Sequence, residues 1–459
     1  MARPRRRRLA WALAAALTAS GAASAACATY SDRTEAARAA VSAGDLQGGE
    51  KAVNKLLKVK RSDDLPTKWG SETGLTVLER AMILHALGLY KLSARDLQAA
   101  EKQLELLDIA RDGAGQIGKY VFSDSATKYK APPSEKLTLN AINMINYLAL
   151  GDLSGARVEA KRFTVMRRYF ADYDPEHAHG AFGSYLAGFV HERLREDESA
   201  IRYYEEALQE RGFEHLRAPI TRLAARTGFT GPRVRDFLGE TPDASPGAAQ
   251  AKPPEAEILV VVNVGRVPYK VPERIPIGAA IGLAHTYITG DTRVLEHSAF
   301  KVVVYPELAP SGAPFEQAKL TVDGQEVALE LATNLEADVV AEYEALRPKI
   351  IGAAISRLIV RAIAAEGARA AGKQSKESPN LVGFLAAAAV EGAMVAADRP
   401  DTRSWTLLPA RVYLARIPVR AGHHTLTVDL QGPGGRERRK AEIDVPAAGF
   451  AVLDVTSLR

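Results

Sequence analysis

GSYLAGFVHERLREDESAIRYYEEAL, residues 183–208, decides how the first half of the chain is read. Apolar and small residues recur at helical spacing on both sides of a polar break, so the stretch predicts two helices joined by a tight turn. Gly188 lets a second helix approach closely. Ala200 follows twelve residues later, then Tyr204, then Ala207, which puts small and large side chains in a fixed order on the returning helix.

The order recurs. ALGLYKLSARDLQAAEKQL (86–104) contains Leu87, Gly88, Ala100 and Leu104, and NYLALGDLSGARVEA (146–160) contains Tyr147, Gly151, Ala156 and Ala160. SAGDLQGGEKAVNKLL (42–57) shares its GDL tripeptide, Gly44 to Leu46, with Gly151 to Leu153. This small-and-large order is the packing signature of a tetratricopeptide repeat (TPR). Ala100, Ala156 and Ala200 are 56 and 44 residues apart, wider than the regular spacing of about 34. The expectation is therefore a divergent, TPR-like all-α array over residues 27–238. A generic helical bundle, which also wants small residues at its crossings, is the alternative. The longest insertion, residues 112–136, is long for a helix connection, and such loops are usually functional or disordered. Its Tyr120, Phe122, Tyr129, Pro132 and Pro133 are candidate partner-binding residues.

Residues 239–255, GETPDASPGAAQAKPPE, lack any apolar period and read as a linker. Beyond them the pattern changes to β-branched alternation. Strands are expected near 257–264, 299–305, 317–323 and 326–332, then helices at 335–371 and 380–397. Four closing strands follow: ARVYLARIPV, HTLTVDL, RRKAEIDV and FAVLDVTSL. The fold class expected is α+β multidomain, with residues 256–459 ending in a small antiparallel β-sandwich. The segment 380–397 carries one charge, Glu391, and as a helix would span about 27 Å, marginal for a bilayer. With Ile351, Ile355, Leu358, Ile359 and Ala362 on one face of its predecessor, it predicts a buried helical hairpin. Membrane insertion is the alternative.

The chain opens MARPRRRRLAWALAAALTASGAASAAC. A basic cluster, a short apolar run and small residues follow one another in the order of a secretory signal, so residues 1–26 are expected to be removed. Cys27 is the only cysteine among 459 residues. Ser24-Ala25-Ala26-Cys27 resembles a bacterial lipobox, although Ser24 stands where Leu is usual. Cys27 is thus the expected lipid attachment, each buried CH₂ of its acyl chains contributing about 0.8 kcal/mol. Ala28, rather than Asp, after the cysteine implies by resemblance the outer membrane. The whole chain carries 60 Lys+Arg against 55 Asp+Glu. Without the five signal arginines both counts are 55, so nothing points to nucleic acid.

Candidate chemistry is sparse. His177 and His179 are two apart and cannot share a helix face, and His191-Glu192 begins HERLR rather than HExxH. His423-His424 fall at an expected solvated turn. Ser125-Ala-Thr-Lys128 fits S-x-x-K without its companion motifs. Gly265-Arg-Val-Pro268 reads as a tight turn. No metal, cofactor or catalytic residue is assigned.

Several strings together resemble a family of proteobacterial TPR-containing lipoproteins with a C-terminal mixed α/β domain. They are Tyr129-x-x-Pro132-Pro133-x-Glu135-Lys136, Tyr147-Leu148-x-x-Gly151-Asp152 with Ala156 and Glu159, and Gly265-x-x-Pro268-x-Lys270. The last is Asp401-x-Arg403-x-Trp405-x-x-Leu408-Pro409, running to Ala415-Arg416 and Gly422-x-His424. The resemblance covers most of the mature chain and brings no catalytic residues with it. It implies an envelope lipoprotein, often encoded near an activator of penicillin-binding proteins. The expected function is a lipid-anchored, periplasm-facing scaffold binding envelope proteins through its TPR-like surface, with possible roles in peptidoglycan assembly. A peptidoglycan-acting enzyme, or a regulator of one, is the alternative.

Overall fold

The computed structural model describes residues 28–104, 129–173, 179–229, 231–239, 256–297, 302–372 and 400–459. The fold class is α+β: helices fill the N-terminal half and sheets the C-terminal part.

The helices are α1 (Tyr30–Ser42), α2 (Leu46–Leu57), α3 (Thr73–Ala86), α4 (Tyr90–Glu101), α5 (Pro133–Ala149), α6 (Leu153–Tyr173), α7 (Ala181–Arg193), α8 (Asp197–Leu208), α9 (Arg217–Thr227) and α10 (Pro232–Leu238). They pack in successive pairs, α1 on α2, α3 on α4, α5 on α6 and α7 on α8. All four pairs turn in the same way. A left-handed residue ends the first helix: Gly44, Gly88, Gly151 or Arg195. In the first pair the Gly44 N–H donates to the Val41 carbonyl and the Asp45 N–H to the Ala40 carbonyl. The same two bonds recur at Gly88 and Leu89, at Gly151 and Asp152, and at Arg195 and Glu196. This is a Schellman motif, which satisfies carbonyls that a helix end leaves free. The second helix of each pair starts two residues after the left-handed one.

Gly188 lies where α7 crosses α8. A Cβ there would sit 2.4 Å from the Tyr204 ring, so only glycine allows this approach. Residues 74–85 of α3, 133–146 of α5 and 181–192 of α7 are all buried. A helix buried on every side has neighbours on every side. Here the far side is covered by the C-terminal part of the same chain.

That part contains β1 (Ala256–Val264), β2 (Tyr269–Pro276), α11 (Ile277–Ala284), β3 (Val302–Ala309), β4 (Gln317–Val322), β5 (Gln325–Val327), β6 (Glu330–Asn334), α12 (Leu335–Gly372), β7 (Arg411–Val419), β8 (Gly422–Gly432), β9 (Gly435–Val445) and β10 (Phe450–Ser457). One sheet runs β10-β1-β7-β6 and a second β5-β4-β8-β9. Ile258, Val260, Val262, Leu320, Leu426 and Val428 fill the space between the two. The other face of the first sheet, with Leu259, Val261, Val412 and Leu414, joins the hydrophobic cluster of the helices. Strand β1 is therefore buried along its whole length, which is why Ile258 to Val262 form a continuous apolar run rather than an alternating one. The two-stranded β2-β3 sheet packs with α11 and α12 around a third cluster containing Ile351, Ile355, Leu358, Ile359 and Ala362.

The sandwich differs from the antiparallel one expected at the end of the chain. It draws in β1, β4, β5 and β6, and β10 pairs with β1 in parallel. After β9 the chain leaves the second sheet through the Pro446–Gly449 turn and fills the open edge of β1. Strand β2 was not expected, because Pro272 and Pro276 interrupt its pattern. Pro272 pairs with Pro306 in a sheet of only two strands, where each strand has a free edge on which a missing N–H costs little. Helix α12 matches the expected 335–371. The helix expected at 380–397 and the linker from 240 to 255 lie outside the described residues.

Candidate functional site

The most distinctive chemistry lies on the seam where the first helix of each pair meets the sheets. Helices α3 and α5 contact β10, α7 contacts β6, α1 contacts β2, and α12 contacts α5. The segment Asp401 to Ala410 runs through this seam with Trp405, Leu407 and Leu408 in the shared core.

Carboxylates on the helices hold that segment by its backbone. Glu79 of α3 accepts from the Thr406 N–H at 2.8 Å, the Thr406 hydroxyl at 2.8 Å and the Leu407 N–H at 3.0 Å. Glu135 of α5 accepts from the Trp405 N–H at 2.9 Å and the Tyr129 hydroxyl at 2.6 Å. An irregular segment has no ladder to satisfy its N–H groups, so buried side-chain acceptors do so. Arg403, paired with Asp401 at 2.6 Å, lies over the Tyr129 ring. Nearby, Glu342 of α12 takes the Ser134 N–H at 2.8 Å and the Ser134 hydroxyl at 2.6 Å. Burial pushes Glu79 up to about 7 and Glu342 up to about 8, outweighing the hydrogen bonds that oppose it. It raises Glu135 as well and lowers Lys136 to about 8.

Two further polar junctions tie helices to strands. Arg416 of β7 makes paired contacts with Glu192 of α7 (2.7 and 3.0 Å) and with Glu257 of β1 (2.7 and 3.1 Å). Tyr204 adds a hydroxyl to Glu192 at 2.8 Å, and Arg193 pairs with Glu257. Farther along, His85 of α3 contacts Asp454 of β10, with its Nδ1 2.7 Å from the Asn146 oxygen.

Of the residues expected to bind a partner, Tyr129 is buried against Arg403 and Glu135 of its own chain. Pro132 is the N-cap of α5, and Pro133 is its buried first residue. Tyr120, Phe122 and Cys27 lie outside the described residues, as do Ser125, Lys128 and His177. His179 approaches Asp338 at 4.0 Å, while His191 pairs with Glu196 at 2.5 Å and stacks on Tyr203. His423 and His424 lie in a strand rather than a turn, and His423 is exposed as expected. They open β8 and face acidic residues, His424 lying 2.6 Å from Asp323. Among the described residues no group of His, Cys, Asp and Glu is arranged to hold a metal, and no helix is long and apolar enough to cross a membrane.

The seam carboxylates were missed in the sequence. The available signal was a pair of ionisable residues inside a mostly apolar segment, as with Glu79 and Arg80 in GLTVLERAMIL. Chemically the site is a set of buried acceptors that hold the irregular backbone of the chain's own segment 401–410. Comparison with protein-family models, with curated proteins and with solved structures gives no match to this chain.

Proposed function

We propose that this chain is a lipid-anchored, periplasm-facing protein of the outer membrane that acts as a non-catalytic, TPR-like scaffold. The observation that carries the reading is the fourfold recurrence of one helical hairpin. Each is closed by the same pair of backbone bonds, at Gly44, Gly88, Gly151 and Arg195. Repetition of a single turn chemistry is expected of a repeat array and is not required of a generic bundle. The Gly188–Tyr204 approach supports the same reading.

In such an array the first helices would present the usual peptide-binding face. Here the chain's own sheet and segment 401–410 cover that face, so partners are taken on the outer helices. Val158 and Val165 lie one heptad apart on α6 and are exposed, Val165 by 67%. Anchoring at Cys27 adds a geometric constraint. Helix α1 begins at Tyr30, and three residues span at most roughly 10 Å. The folded body therefore sits directly on the membrane surface.

Two experiments test this. Globomycin should accumulate a precursor, and Cys27→Ser should abolish acyl labelling; unchanged processing with no label removes the anchor. A photo-crosslinking residue at Val158 or Val165 should give a discrete envelope-protein adduct in cells, while one at the buried Trp405 should not. No adduct from either exposed site, together with peptidoglycan cleavage by the purified chain, would overturn the scaffold in favour of an enzyme.

A further inference from the structure

Most deeply buried arginines of this protein lie against a carboxylate. Arg80 pairs with Asp96 at 2.6 Å, Arg403 with Asp401 at 2.6 Å, and Arg416 with both Glu192 and Glu257 at 2.7 Å. Arg38 and Arg266 do not. They are 8% and 3% exposed, and among the described residues no carboxylate lies within 4.0 Å of either guanidinium.

The two come together where α1 meets the turn after β1. Arg266 donates through Nη2 to Ser42 Oγ at 2.5 Å and to the Ser311 carbonyl at 3.2 Å, both neutral acceptors. Its Nε is buried with no hydrogen-bond partner. Ser42 Oγ in turn donates to the Arg38 carbonyl at 2.8 Å. Arg38 uses its own donors on Thr34 Oγ1 (2.5 Å) and the Ser31 carbonyl (2.8 Å), and its guanidinium lies 4.2 Å from the Tyr269 ring centroid. The acid whose charge offsets that of Arg266 is Glu79, whose oxygens are engaged by Thr406 and Leu407. Burial and the charge of Arg38 together lower the Arg266 guanidinium from its ordinary value.

Buried charges are normally paired, and an unpaired one costs several kcal/mol. The like charge of Arg38 adds to that cost at Arg266. A guanidinium fork matches the oxygens of phosphate and carboxylate groups. We infer that Arg266, with the charge of Arg38 adding to its own, forms a receptor for a small oxyanion, a phosphate or carboxylate group, entered past the exposed Ser42 and bound by the free Nε–H of Arg266. The inference is independent of the scaffold reading.

The test is urea unfolding of the full chain in detergent, in sodium phosphate, sodium acetate or sodium chloride at matched ionic strength. Phosphate or acetate should raise the midpoint above that in chloride, increasingly with the logarithm of its concentration. Arg266→Met and Arg38→Met, checked for folding by circular dichroism, should weaken the apparent affinity by at least about tenfold. If Arg266→Met fails to fold, Arg266→Lys keeps the charge, loses the Nε–H, and should show a similar weakening. Vesicles containing phosphatidylglycerol separate the sources: Arg266-dependent binding to vesicles without a response to free phosphate makes the oxyanion a lipid headgroup. Equal midpoints in all three salts with no vesicle binding, or a phosphate response unchanged in the Arg266 variants, overturns the site.

Discussion

His85 Nε2 lies 3.0 Å from Asp454 Oδ2, and both side chains are almost wholly out of solvent. The pair joins α3 to β10 across the seam. Its attraction is strongest when the ring is an imidazolium facing the Asp454 carboxylate. Burial opposes that form, but the Asp454 charge and the Asn146 contact outweigh it and leave the His85 pKa raised. A raised histidine stabilises the fold fully below its unfolded value of about 6.5 and loses that contribution as pH rises through the folded value. His85→Gln should cost about 3 kcal/mol at pH 6. The difference from wild type in urea midpoint should shrink as pH rises from 6 to 9. A difference that does not change with pH would show that the pair carries no charge.

Glu342 titrates in the opposite sense for stability. Its folded pKa of about 8 lies above the ordinary carboxyl value, so the folded state holds a proton that the unfolded state has released. Stability attributable to this group therefore falls as pH rises from about 4.3 to about 8 and is constant above. Glu342→Gln keeps an acceptor for the Ser134 N–H without the charge. It should match wild type near pH 4.5 and exceed it by on the order of 1–3 kcal/mol at pH 8. Paired urea titrations at the two pH values read this directly.

Gly188→Ala places a methyl carbon 2.4 Å from the Tyr204 ring. That ring cannot retreat easily, because its hydroxyl is held by Glu192 and Arg416. Overpacking of this kind costs about 1–3 kcal/mol. Tyr204→Leu frees the space, so the alanine should cost much less in that background. Additive losses in the double mutant would mean that the two residues do not limit the approach of α7 to α8.

The sequence made the parts of this fold legible where a local rule governs them. The hairpin turns are visible because Gly44, Gly88 and Gly151 are glycines at left-handed positions. The one formed by Arg195 is not marked by its own residue type. The burial of β1 on both faces shows in its unbroken apolar run, and the buried face of α12 in its helical spacing. Long-range pairing was not legible. Nothing local tells that Glu79 receives Thr406, 327 positions away, or that β10 returns in parallel to β1. The string Asp401 to Pro409 stood out as a motif, but its role depends on acceptors from helices far away in the chain. Arg38 and Arg266 look ordinary in sequence, and only their missing carboxylates set them apart.

Arg416 tests whether the helices and sheets form one cooperative unit. It is buried at the centre of the seam and contacts Glu192 from the helices and Glu257 from β1. The Arg416 charge and hydrogen bonds, with Tyr204 and Arg193, hold Glu192 down to about 2 against the effect of burial. Arg416→Met removes the cation and leaves two carboxylates facing each other in the interior, with Arg193 and Arg222 only partly placed to compensate. Breaking a buried pair in this way costs about 3–5 kcal/mol. Replacing the carboxylates as well is a different change: Arg416→Met with Glu192→Gln and Glu257→Gln leaves no buried carboxylate to strand, and although Arg193 and Arg222 lose their partners, part of the loss should return. The readout is urea unfolding in a Trp69→Phe background followed by two probes, tryptophan fluorescence from Trp405 in the seam and far-ultraviolet circular dichroism from the helices. For wild type the two curves should coincide, because one hydrophobic cluster spans both parts. In Arg416→Met the fluorescence transition should move to lower urea ahead of the helical one, and in the triple variant the curves should coincide again. Coincident curves in all three proteins, with the single variant no less stable than wild type, would mean that apolar packing alone joins the two parts.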